Sequence, residues 1–135
     1  MDIQRAIDQF LSAPVLAVAG ASQNRSKYGN KVLRCYLQNG RKAIPVNPGC
    51  HTVEDQPCFA RLSDINEPIQ SLSVITSPHI TDGIVSEAIE KGIQNIWMQP
   101  GAESITAVEQ ARAAGLNVIS GGPCVFVVLG YSEQQ

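Results

Sequence analysis

The sequence predicts an α/β fold: a doubly wound parallel sheet of about five strands, with helices packed on both faces to give three layers. Three observations carry this. Short continuous apolar runs of strand length alternate with stretches of helical periodicity, as a sheet covered on both faces requires. The connections between them are short, which together with right-handed crossovers points to parallel order. A spacing also recurs, in which a helix-ending glycine is followed eight positions later by a proline: Gly40 and Pro48, Gly92 and Pro100, Gly115 and Pro123. Proline cannot donate to a ladder, so each marks the point where a strand leaves the sheet.

In chain order, Ile3, Ala6, Ile7, Phe10 and Leu11 form one apolar stripe on a short helix that stops before Pro14. Val15 to Ala19 is the first strand and leads straight into Gly20. Val32, Leu33, Tyr36 and Leu37 share one face of the next helix, and Gly40 is its left-handed terminator. Lys42 to Val46 is the second strand, ending at Asn47-Pro48. The stretch from Gly49 to Leu62 lacks a helical period and reads as a surface excursion with a short edge strand near Cys58 and Phe59, followed by a single turn at Ser63 to Ile65. Leu72 to Thr76 is the third strand; Thr81 then caps a helix with Ile84, Val85, Ala88 and Ile89 on its apolar face. Ile96 to Met98 is the fourth strand, Ile105, Val108 and Ala111 mark a further helix, and Val118 and Ile119 are the fifth strand. The apolar tail Val125 to Leu129 reads as either an added strand or a covering segment.

A chain of 135 residues suits one domain over residues 1–135. Ten basic against twelve acidic residues leave a net charge of -2, which supplies no global field for nucleic acid or membrane, so any phosphate site must be local. No apolar run approaches the roughly 20 residues of a membrane span. The opening MDIQRAIDQF carries two acidic residues where a signal peptide is basic, so a cytoplasmic location is expected. Cys35, Cys50, Cys58 and Cys124 contain no CxxC pair and read as reduced thiols, and Cys50-His51 with Cys58 matches no zinc spacing.

The stretch Val15 to Val32, VLAVAGASQNRSKYGNKV, is where chemistry is concentrated. A strand, a small-residue turn at Gly20-Ala21-Ser22 and a helix bring backbone N–H groups and a helix dipole to one point, an arrangement that receives phosphate. Arg25, Ser26, Lys27 and Lys31 add a basic and hydroxylic cluster. The G-x-G-x-x-G fingerprint is broken, because Ser22 and Arg25 hold the second and third glycine positions. The second strand ends in Asn47-Pro48 rather than in the acid that would hold a nicotinamide cofactor's ribose, so that class is disfavoured. A Walker loop is missing too. In parallel sheets of this kind ligands lie outside the carboxyl ends of the strands, which places the Gly20 turn and the exits at Pro48, Pro78, Pro100 and Pro123 around one crevice.

The segments GAS at Gly20 to Ser22, KYGNKV at Lys27 to Val32, PVNP at Pro45 to Pro48, TSP at Thr76 to Pro78, WMQPGAES at Trp97 to Ser104 and GGPC at Gly121 to Cys124 span nearly the whole chain. Through them the sequence resembles the small stand-alone CoA-binding domain family, Rossmann-like proteins related to the CoA-binding domain of the succinyl-CoA synthetase alpha subunit. The resemblance implies that coenzyme A lies across the strand ends. Its pyrophosphate would sit near Gly20, Ala21 and Ser22, and its adenosine toward Asn47 and Pro48. Arg25, Ser26, Lys27 and Tyr28 would supply phosphate contacts, and Ser77, Pro78 and Gln99 would line the crevice. Relatives often carry proline where this chain has Arg25, a departure that adds a positive charge near the phosphates.

The sequence shows no nucleophile elbow, helical metal pair or paired carboxylates, and His79 has no identifiable base or orienting partner. The expectation is a non-catalytic CoA or acyl-CoA binder that acts as sensor, carrier or subunit-like module. Two alternatives stay open: a thiol-redox protein in which Cys124 forms a mixed disulfide with CoA, and an acyl-CoA enzyme active only with a partner subunit. Trp97-Met98 and the tail are apolar enough for a homodimer or another protein partner, although core strands account for them equally well.

Overall fold

The apolar alternation is realised as a five-stranded parallel sheet. A computed structural model describes residues 2–133 of the chain. Its elements run α1 (Ile3–Leu11), β1 (Val15–Ala19), α2 (Tyr28–Gln38), β2 (Lys42–Val46), β3 (Thr52–Val53), β4 (Gln56–Pro57), a 3-10 turn at Leu62–Asp64, β5 (Ser71–Val74), α3 (Pro78–Lys91), β6 (Asn95–Met98), α4 (Ile105–Ala113), β7 (Asn117–Ile119) and α5 (Val125–Leu129). The sheet order is β2-β1-β5-β6-β7, every neighbouring pair parallel, and β3 with β4 forms a separate antiparallel hairpin.

Alternate side chains of each strand enter two cores. Ala17 and Ala19 of β1 pack with Val85 and Ala88 of α3 and Ala107 and Ala111 of α4 on one face. Leu16 and Val18 pack with Phe10 of α1, Val32 and Leu33 of α2 and Val125 of α5 on the other. Helices therefore cover both faces in three layers, with Trp97 fully buried and its ring edge-on to Phe10 at 5.4 Å. The predicted glycine terminators Gly40, Gly92 and Gly115 all take left-handed φ, at 71°, 88° and 82°, the conformation in which a residue without a β-carbon is least strained.

Several expected boundaries move. The third sheet strand runs Ser71–Val74 rather than Leu72–Thr76, and α3 starts at Pro78 with Ser77 in the cap position, not at Thr81. Proline is preorganised for the first helical position, so the helix takes up one more turn. Thr81 is instead buried, its Oγ1 donating to Ala102 O at 2.9 Å. The excursion holds the β3–β4 hairpin, and only Phe59 extends the sheet edge, as an isolated parallel bridge to Val46. The apolar tail is helix α5 rather than a strand: the Val125 N–H is taken by Gln99 Oε1 at 3.2 Å, and Val125 is buried in the core with Phe126 and Leu129 packed against it, so the tail covers that face. Trp97 and Met98 are buried, so neither serves an interface, whereas Val127 of α5 is 84% exposed. Among the described residues no helix is long and apolar enough to cross a membrane.

On the far face, Asp82 of α3 accepts hydrogen bonds from Ser104 Oγ at 2.9 Å and Thr106 Oγ1 at 2.7 Å, which staple α3 to the start of α4. Those two hydroxyls hold its carboxyl below the usual carboxylate range. A depressed folded pKa gives stability that is present above the unfolded value, about 3.9, and lost as pH falls through the folded one. Acid unfolding followed by circular dichroism is expected to show wild type the more stable above about pH 4 and progressively converging with D82N as pH falls below it.

Candidate functional site

Strand order reverses between β1 and β5, and the carboxyl ends of these two strands define the crevice. The exit from β1 is shaped by two glycines. Gly20 has φ 94°, donates its N–H to Val46 O at 3.1 Å, and is so close to the β5 exit that a β-carbon would lie 3.1 Å from the Ile75 carbonyl carbon. Gly29, in the first turn of α2, is closer still, since a β-carbon there would fall 1.9 Å from Gly20 O. The helix therefore rests directly on the turn, the role that the third glycine of the dinucleotide fingerprint plays, met here four positions beyond Arg25.

The intervening loop is held in shape by its own side chains. Ser22 Oγ accepts from Asn24 N at 3.0 Å, and Asn24 Oδ1 accepts from Ser26 N at 3.0 Å and Ser26 Oγ at 2.6 Å. Lys27 caps α2 with no side-chain acceptor, and among the described residues the N–H groups of Tyr28, Gly29 and Asn30 find no partner within the chain. These unpartnered amides sit at the positive end of the helix dipole, Gly29 and Asn30 buried and Arg25, Ser26, Lys27 and Tyr28 exposed around them. The described ion pairs do not include Lys27.

Behind the loop lies a buried polar network that the sequence alone did not single out. Asn30 is fully buried; its Nδ2 donates to Ser22 O at 2.8 Å and to Glu54 Oε2 at 3.0 Å, and its Oδ1 accepts from Arg34 Nε at 2.6 Å. Arg34, itself buried, also donates to Arg25 O at 3.0 Å and lies over the Tyr131 ring at 5.5 Å. Lys31 pairs with Glu133 at 2.6 Å, so the tail is strapped onto α2, and Tyr28 stacks on Phe126. The available signal was the Asn30 and Arg34 spacing of one helical turn.

Among the residues predicted to bind ligand, the fold brings together Gly20, Ala21, Ser22 and Asn47, whose Nδ2 donates a short hydrogen bond to Ala21 O while its Oδ1 accepts from Gly49 N at 2.8 Å. Pro48, Ser77 and Pro78 are exposed at neighbouring strand exits. Gln99 lies deeper: it is buried, and its side chain is spent on Cys124 Sγ at 3.1 Å and on Val125 N. All four cysteines are free thiols, and burial pushes the Cys35 thiol up to about 11. A cavity of about 460 Å3 adjoins the loop, bounded by Gln23, Arg25, Thr52, Glu54 and Asp55. A cavity of about 530 Å3 opens elsewhere, between α1, α4 and β7, and includes no strand-exit residue of the crevice. Position, not size, decides between them: the smaller one is bounded by Gln23 and Arg25 of the loop that follows the glycine turn and by Thr52, Glu54 and Asp55 of the hairpin.

Known proteins resemble this chain in family and in fold. The family model described as "CoA binding domain" matches residues 15–129. The uncharacterized protein YneT of Bacillus subtilis is 25% identical over 104 residues, which are 77% of each chain. A hypothetical protein from Pyrococcus horikoshii OT3 superposes with a TM-score of 0.87 at 25% identity over 96% of this chain and 92% of that one. A conserved hypothetical protein from Pyrococcus furiosus does so with a TM-score of 0.78 at 32% identity, over 84% of this chain and 97% of that one. With a match that runs from the first sheet strand to the last helix, the chain belongs to the CoA-binding domain family.

Proposed function

We propose that this protein is a small cytoplasmic binder of CoA or acyl-CoA that senses the ligand or carries it to a protein partner or a second copy of itself, without transforming it. The observation that carries the reading is the convergence, in a member of the CoA-binding domain family, of the Gly20 turn with three unpartnered amides at the start of α2 and the exposed Arg25 and Lys27. A pyrophosphate needs that combination of oriented N–H donors and cations. In this reading the pyrophosphate lies against Gly20, Ala21 and Ser22, the adenosine leans toward Asn47 and Pro48, and Ser77 and Pro78 line the crevice, with the buried Gln99 behind them holding Cys124 and Val125. The four free thiols accord with a reducing compartment.

Isothermal titration against CoA, dephospho-CoA and NAD is the test. CoA is expected to bind with a Kd well below millimolar and NAD more weakly. No heat with CoA up to millimolar concentration, or tighter binding of NAD, would refute the proposal.

A further inference from the structure

The hairpin tip that faces the phosphate loop carries a carboxylate in a place where an anionic ligand would be expected to meet only donors. Glu54 Oε2 accepts from Asn30 Nδ2 at 3.0 Å, and Glu54 Oε1 pairs with Arg25 at 3.3 Å. A third contact, Gln23 Nε2 to Thr52 O at 2.9 Å, ties the same hairpin to the same loop. The tip is costly to build, because Glu54 and Asp55 hold φ of 49° and 62°, a region that such two-residue turns usually fill with asparagine and glycine. Asp55 stands beside Glu54 on the wall of the 460 Å3 cavity, without a hydrogen bond to Arg25 or Asn30 among the described contacts.

We infer that Glu54 is a specificity-determining residue that acts as an internal competitor: its carboxylate holds Arg25 in the ligand-free protein and yields it only to a ligand that brings more negative charge to the loop. The inference rests on the proposed CoA reading of the crevice. The pair is partly exposed, with side chains 55% and 21% accessible for Arg25 and Glu54, so it is weak enough to be exchanged. A phosphate offers Arg25 a higher charge and a bidentate partner in place of one carboxylate oxygen. Ligands with few charges lose the exchange, and polyanionic ones win it. Glu54 thereby sets a threshold of ligand charge.

The test is calorimetric titration of CoA and dephospho-CoA into wild type, E54Q and D55N at low and moderate salt, with thermal unfolding as the check on folding. Glutamine keeps an acceptor for Asn30 while removing the charge. E54Q is expected to bind CoA about two- to fivefold more tightly, the range an exposed ion pair withholds, with a gain that shrinks as salt rises. D55N, which changes the same charge on the same hairpin without touching Arg25, is expected to gain less. In R25Q the added E54Q change is expected to give no more than the D55N gain. E54N serves should E54Q fold poorly, since asparagine suits the left-handed backbone. If wild type takes up no CoA, the reading of the ligand fails. If wild type binds CoA but E54Q binds equally or more weakly, or gains no more than D55N, the competitor role alone is overturned.

Discussion

Replacement of Gly29 by alanine is expected to destabilise the protein by about 3 kcal/mol, the upper part of the range for overpacking, and to abolish measurable CoA binding. Helix propensity alone predicts the opposite sign, since alanine in place of glycine in a helix gains up to about 1 kcal/mol. Sterics decide. A β-carbon at Gly29 would lie 1.9 Å from Gly20 O, 2.8 Å from Gly20 C and 3.3 Å from Ala21 Cα, all of them backbone atoms that cannot swing aside as a side chain would. Gly20 has no slack either, because it is bonded to Val46 O and already abuts Ile75. The helix must therefore lift off the turn, and the unpartnered amides of Tyr28, Gly29 and Asn30 separate from the Gly20 loop of the proposed anion site. The midpoint of urea unfolding and a CoA titration read the two effects together. A midpoint equal to or above wild type would show that the turn yields, and would remove Gly29 from the site.

What could be read in the sequence, and what could not, divides by range. The alternation of apolar runs with helical stripes fixes α/β layering locally, and the Gly40, Gly92 and Gly115 terminators are local as well; all three are found in left-handed backbone. Gly29 escaped because a fingerprint at fixed spacing stops at Arg25, whereas the close approach that demands a glycine occurs one helical turn later, where α2 meets the Gly20 carbonyl. Asn30 and Arg34 read as the polar face of an amphipathic helix. That face is buried only because the Glu54 hairpin and the Tyr131 tail fold over it, contacts across 24 and about 97 residues that no local pattern announces. Glu54 itself sits in a turn without glycine, so the usual hairpin signal was missing. The tail was ambiguous in principle, since a five-residue apolar run fits strand or helix until its first amide is found bonded to Gln99.

Asn30 is expected to separate what the buried network does for stability from what it does for the ligand. Leucine fills a similar volume but leaves Arg34, 4% exposed, without its Nε acceptor and leaves Ser22 O without its donor. Arg34 keeps Arg25 O and Glu133, so the loss is that of a buried donor and acceptor left unsatisfied, about 1–3 kcal/mol, and N30L should lose stability and binding together. Aspartate behaves differently. It still accepts from Arg34 Nε, now as a charged pair, but when ionised it cannot donate to Ser22 O and it sets a second carboxylate against Glu54. N30D is therefore expected to lose less stability than N30L while binding CoA about tenfold more weakly, the effect of one lost tether of roughly 1.4 kcal/mol. Two adjacent carboxylates push one pKa upward, and once that group is protonated it can donate again. The affinity deficit of N30D should accordingly narrow as pH falls toward about 5, and a deficit that is absent at pH 7, or that widens on acidification, would show that the Ser22 tether does not shape the site.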